Sequence, residues 1–90
     1  MLHFVSTSPF QHSALQECRK IAQDGDVVVL LADGVYAALV EEKLFSGLQV
    51  FAVKDHMAAR GINAPGWITC ADYDQLVALT CQHQPVQTWC

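Results

Sequence analysis

The chain has ninety residues, nine acidic side chains against five basic ones, a net charge of −4 and a positive mean hydropathy of +0.23. One domain is expected over residues 1–90, and a chain this short hides only roughly 60–65% of its unfolded surface. The bases Arg19, Lys20, Lys43, Lys54 and Arg60 are scattered, which excludes a nucleic-acid stripe and an attraction to membrane surfaces.

The apolar surplus for so small a domain points to a face buried against other subunits, because monomers rarely leave large apolar patches bare. The opening Met1-Leu2-His3-Phe4 lacks a basic segment followed by an apolar run, so no leader is expected. The longest apolar run, Val27 to Ala32, is too short to cross a bilayer. A cytoplasmic protein is expected. The cysteines at 18, 70, 81 and 90 form no C-x-x-C pair, which argues against a zinc ribbon or a thioredoxin-type centre. Free thiols are expected rather than disulfides.

Leu2 to Ser6 reads as a short strand. Ser8-Pro9-Phe10-Gln11 has the form of a helix start, with Ser8 as cap, Pro9 at the first helical position and Gln11 closing a capping box. Phe10, Ala14, Leu15, Cys18, Ile21 and Ala22 then recur at helical spacing as one apolar stripe, ending near Asp24-Gly25. Asp26 to Ala32 is apolar on both faces, the pattern of a central parallel strand covered by helices on each side.

Asp33 predicts the cap of a second helix, Val35 to about Leu44. Gly47 turns the chain into a third strand, Leu48 to Val53, and Lys54 to Arg60 reads as a short helix closed by Gly61. After the loop Asn63-Ala64-Pro65-Gly66, a strand is expected over Trp67 to Cys70 and a helix, capped by Asp72, from Tyr73 to about Gln82. Pro85 stops it, and Val86 to Trp89 adds a last strand. Strands alternating with helices predict a layered α/β domain with a mostly parallel sheet and right-handed crossovers.

Cys18 is the sharpest candidate for chemistry. A sulfur carrier needs a reachable thiol with a lowered pKa, and Arg19 and Lys20 follow it directly. Residues one and two apart on a helix point away from each other, however, and Cys18 lies on the apolar stripe, which is also the pattern of a buried, inert cysteine. Asp33-Gly34, where a strand gives way to a helix, is a place where open α/β sheets bind ligands; a cap and a tight turn account for it as well, and a single glycine beside a carboxylate makes no phosphate cradle. His3, His12, His56 and His83 have no metal-ligand spacing, and His3 reads as a buried, hydrogen-bonded strand residue. Asp72 and Asp74 suit a helix start. Cys70 and Cys81 read as core or incidental residues, and Cys90 as an exposed one. Trp89, in a final edge strand, can close the core or anchor a partner.

Six short stretches carry a further signal: Met1-Leu2-His3, Ser8-Pro9-Phe10, Asp33-Gly34-Val35-Tyr36-Ala37-Ala38-Leu39, Ala59-Arg60-Gly61, Asp72-Tyr73, and Val86-Gln87 followed by Trp89. In their order and approximate spacing the chain resembles, from end to end, the TusB/DsrH family of small subunits of sulfur-relay complexes. The resemblance implies a three-layer, flavodoxin-like (DsrE/F-like) domain. It also implies TusC/DsrF-like and TusD/DsrE-like partner subunits, usually in a dimer of heterotrimers whose TusD/DsrE subunit holds the principal acceptor cysteine. Such complexes pass persulfide sulfur between carrier proteins, to the 2-thio group of the tRNA wobble uridine in the Tus branch and in sulfur oxidation in the Dsr branch. The expected role is therefore a non-catalytic subunit of a relay for tRNA 2-thiolation, without a cofactor. The alternatives are a DsrH-type subunit in sulfur oxidation and an autonomous sulfurtransferase carrying persulfide on Cys18. The DsrH branch commonly has a cysteine at this place in the first helix, whereas TusB members often lack it. The stretch from Glu42 to Gly47 is short for the family, which leaves homomeric assembly open.

Overall fold

The computed structural model describes residues 2–8, 14–39, 45, 47–83 and 85–89. The helix start expected at Pro9 to Gln11, His12, the tail of the second helix through Leu44, and Cys90 lie outside these residues. In chain order the elements are β1 (Leu2–Val5), α1 (Ala14–Ile21), β2 (Val27–Leu30), a 3-10 helix (Ala32–Leu39), β3 (Gln49–Val53), α2 (Lys54–Ala59), β4 (Ile68–Ala71), α3 (Tyr73–Gln82) and β5 (Val86–Trp89). No helix among the described residues is long and apolar enough to cross a membrane.

The strands form one all-parallel sheet in the order β4-β3-β2-β1-β5, the layered α/β architecture that the strand–helix alternation predicts. The order differs from flavodoxin's 2-1-3-4-5. Val27, Val28, Val29 and Leu30 are buried on both sides of the central β2, because helices cover both faces of a parallel sheet.

The side-chain alternation of the strands sorts the core into two parts. On the first face Val5, Val28, Leu30, Val50, Ala52 and Ile68 pack against Leu15 and Cys18 of α1, Val35, Ala37 and Ala38 of the 3-10 helix, and Met57 of α2. On the second face Leu2, Val27 and Val29, with Phe4, Phe51 and Val53, meet Leu79 and Leu76 of α3. Three helical segments therefore share one face. Among the described residues the other face is covered by the ten residues of α3, which lead from the β4 edge back to β5 at the opposite edge.

The second helix departs from the expected form. It winds as a 3-10 helix from Ala32, so Asp33 lies inside it and is not its cap. The physical reason is contact with β1. A Cβ on Gly34 would sit 2.0 Å from the Val5 carbonyl oxygen, and the tight turn is closed by the Gly34 N–H donating to the Leu31 carbonyl at 2.8 Å. Gly34 serves this close backbone approach, and its φ is not in the left-handed region. Ala32, by contrast, has φ of +49°, a strained setting for a residue with a side chain. Elsewhere the boundaries agree closely with the sequence pattern, and α3 runs from Tyr73 to Gln82 as expected.

Candidate functional site

At the carboxyl end of the sheet the chain after β3 turns to α2 on the first face, whereas the chain after β4 turns to α3 on the second. Neighbouring parallel strands whose following helices part to opposite faces leave a crevice between them, which is where open α/β sheets hold ligands. A cavity of about 360 Å³ lies here. Leu31, Val53, Ala71 and Leu76 form its apolar walls, and Asp55, His56, Asp72 and Tyr73 are its polar and aromatic lining.

Each lining side chain is held by its element. Asp72 caps α3: its Oδ1 accepts from the Gln75 backbone N–H at 2.9 Å, and the Asp72 N–H donates to Gln75 Oε1 at 2.9 Å. This reciprocal pair fixes the first turn of the helix and so places Tyr73 and Leu76. His56 Nδ1 accepts the Ala32 N–H at 2.8 Å, which puts the ring proton on Nε2 and leaves that N–H as the donor available to a visitor. One turn on, Arg60 donates from Nη2 and Nε to Asp33 Oδ1 at 3.0 and 3.1 Å and from Nη1 to the His56 carbonyl at 3.2 Å. Arg60 is therefore engaged in tying α2 to the 3-10 helix, and the crevice carries carboxylates without a facing cation among its lining residues.

The family model described as "DsrH like protein" matches residues 7–86 of the chain. Full-length relatives agree. Protein TusB of Pectobacterium parmentieri is 32% identical over 96 aligned positions, covering 99% of this chain and all of the relative. Protein TusB of Yersinia pestis (strain Pestoides F) is 34% identical over the same span. The chain belongs to the TusB/DsrH family. Among solved structures, the solution NMR structure of protein Tm0979 from Thermotoga maritima superposes with a TM-score of 0.71 at 24% identity, covering 92% of this chain and 94% of that one; at that identity the likeness concerns the fold. The alignments to the TusB relatives exceed the ninety residues of this chain, so those relatives carry residues that it lacks.

Two stretches that mark this TusB/DsrH member in sequence meet in space: Asp33 of the first and Arg60 of the second form the ion pair just described. A third, Asp72-Tyr73, lines the crevice. At the strand end Asp33-Gly34, which the sequence leaves open between a ligand position and a cap with a tight turn, Gly34 packs against β1 and Asp33 pairs with Arg60, and the crevice opens between the next two strands. Asp55, His56 and Leu76 had no motif to announce them. The one local signal was that His56 and Arg60 are a helical turn apart.

Cys18 lies elsewhere. It does not line the crevice. Its side chain is 0% exposed within the first core, and its thiol is pushed up to about 11, first by burial and then by the negative charge of Asp26 at the amino end of β2. Neither Arg19 nor Lys20 is among the causes. Cys70 and Cys81 are exposed free thiols, so neither is a core residue. Their residues fall at outward positions of the β4 edge strand and of α3.

His3 is fully buried, as its strand position predicts. Trp89 Nε1–H, which can only donate, reaches His3 Nδ1 at 3.1 Å. His3 Nδ1 is therefore an acceptor, and Nε2–H donates to Asp26 Oδ2 at 3.1 Å. This chain of bonds links β5, β1 and the start of β2, and makes Trp89 a closing residue of the core. Among the described residues no group of three or more His, Cys, Asp or Glu side chains is arranged to hold a metal ion.

Proposed function

We propose that this chain is a structural subunit of a heteromeric sulfur relay, partnered by TusC/DsrF-like and TusD/DsrE-like subunits and serving 2-thiolation of the tRNA wobble uridine. The reading rests on membership of the TusB/DsrH family over the full chain, and one observation supports the structural rather than the carrier part: the closed setting of Cys18. Transfer of a persulfide needs a thiolate that another protein's sulfur can reach. The Cys18 thiol is enclosed by apolar side chains and its ionisation is opposed by both burial and Asp26. The acceptor cysteine then belongs to a partner, and this subunit supplies surface and positioning. Work on tRNA would place the complex in the cytoplasm.

The test is a relay reconstituted from the three subunits with a labelled persulfide donor. Cys18→Ala is expected to lower the stability of this subunit by about 1 kcal/mol through the lost packing and to leave the amount of sulfur delivered unchanged. Loss of delivery from a folded, assembled Cys18→Ala complex would move the carrier role to Cys18.

A further inference from the structure

We propose that the crevice between α2 and α3, together with the exposed apolar stripe of α3 beside it, is the surface on which a non-identical partner subunit docks through an apolar side chain flanked by lysine or arginine. The inference rests on the relay-subunit reading and adds to it the face and the chemistry of the partner.

The uneven coverage of the sheet comes first. Among the described residues three helical segments share one face, and α3 is the helix on the other. The apolar lining of the crevice does not end at its mouth. Tyr73, on the rim, is 78% exposed, and Val77, one turn along the same side of α3, is 45% exposed. A small molecule held in the cavity would leave this stripe in water, whereas a polypeptide seated across it covers the stripe and fills the cavity with one side chain. Contiguous apolar surface of this kind around a pocket is the form of a partner site.

Charge selects the partner. Asp55 and Asp72 line the crevice, Asp74 lies in the first turn of α3, and α3 has no lysine or arginine in its sequence. A second copy meeting this face through a twofold axis would set the same carboxylates against each other, because such an interface apposes one patch with itself, and like charges across an interface are costly. Nucleic acid is excluded on the same ground. A different chain with a basic rim around an apolar anchor satisfies both features, and His56 Nε2–H offers it one fixed donor.

The experiment is co-expression of the whole chain with the DsrE-like and DsrF-like subunits of the same genome, with affinity and salt dependence measured on the purified components. Tyr73→Glu and Val77→Glu, both at exposed positions, are checked for unchanged melting of the isolated chain. Each is expected to weaken assembly at least about tenfold. Asp55→Lys is expected to weaken it several-fold and to flatten its salt dependence. Ile21→Glu, an exposed change on α1 at the other face, is expected to assemble as the parent does. Tyr73→Glu and Val77→Glu assembling like the parent would overturn this inference and leave the relay reading standing. A parent chain that binds neither subunit would overturn both. A homo-oligomer dissolved by Tyr73→Glu would overturn the choice of occupant.

Discussion

Gly34 and Asp26 show how single residues hold this fold, and each gives a measurable consequence. A methyl group on Gly34 would meet the Val5 carbonyl oxygen at 2.0 Å and its carbon at 2.7 Å. Both are backbone atoms of an interior-facing strand end, which cannot swing aside as a long side chain can. Gly34→Ala is therefore expected to destabilise by about 1–3 kcal/mol, the range of overpacked cores, and a urea midpoint lowered without a change of slope would register it. Asp26 is held at about 2, below its ordinary 3.8. Donation from the Gln23 backbone N–H is the largest cause and, with the bond from His3, outweighs the opposing effect of burial. A depressed carboxylate contributes stability that is present above its unfolded value and is lost as pH falls through the folded one. The chain should thus lose this contribution between about pH 4 and pH 2. Asp26→Asn is expected to be less stable at neutral pH and to lack that part of the acid decline; identical acid profiles for the two proteins would remove Asp26 from the account. The role of Gly34 was not legible in the sequence, where Asp33-Gly34 has the form of a cap and turn. Only the arrangement of β1 beside β2 reveals that the glycine is there for a neighbouring strand.

At the scale of elements, the legible parts were those whose signals are local. The cap at Asp72, the stop before Pro85 and the β-branched run of β2 each follow from residues within one segment, and α3 and β2 appear where those residues place them. The 3-10 helix did not, because its winding is set by the approach of Gly34 to β1 and by the anchoring of Ala32 to His56 from another segment. The crevice was hidden for a related reason. It exists because α2 and α3 lie on opposite faces, and Asp55, His56 and Asp72 come together only through that switch. The Asp72 cap offers a direct test. Asp72→Ala removes the acceptor for the Gln75 N–H and is expected to cost about 1 kcal/mol, whereas Asp72→Asn, which retains a capping oxygen, should cost markedly less. Thermal melts of the two variants separate these outcomes, at roughly 4–8 °C per kcal/mol for a domain of this size. Equal melting of both would mean that α3 is held by Leu76 and Leu79 packing alone.

For the whole molecule, the composition had already suggested more apolar surface than ninety residues can enclose, and among the described residues part of that surplus lies on α3, at Tyr73 and Val77 beside the crevice, with Ile21 and Leu39 exposed on the other face. Family membership over the full chain, a buried Cys18 whose ionisation is opposed, and an acidic crevice continuous with Tyr73 and Val77 fit together as one account. In it this subunit gives a relay its architecture and leaves the sulfur chemistry to a partner. The most direct measurement is native mass spectrometry of the tagged chain isolated from its own cells, followed by mapping of persulfide among the recovered cysteines. The account predicts an assembly with two further small subunits of different sequence, with the extra sulfur on a partner's cysteine and none on Cys18. Recovery of the chain by itself, or only with copies of itself, with Cys18 one sulfur atom heavier, would contradict it.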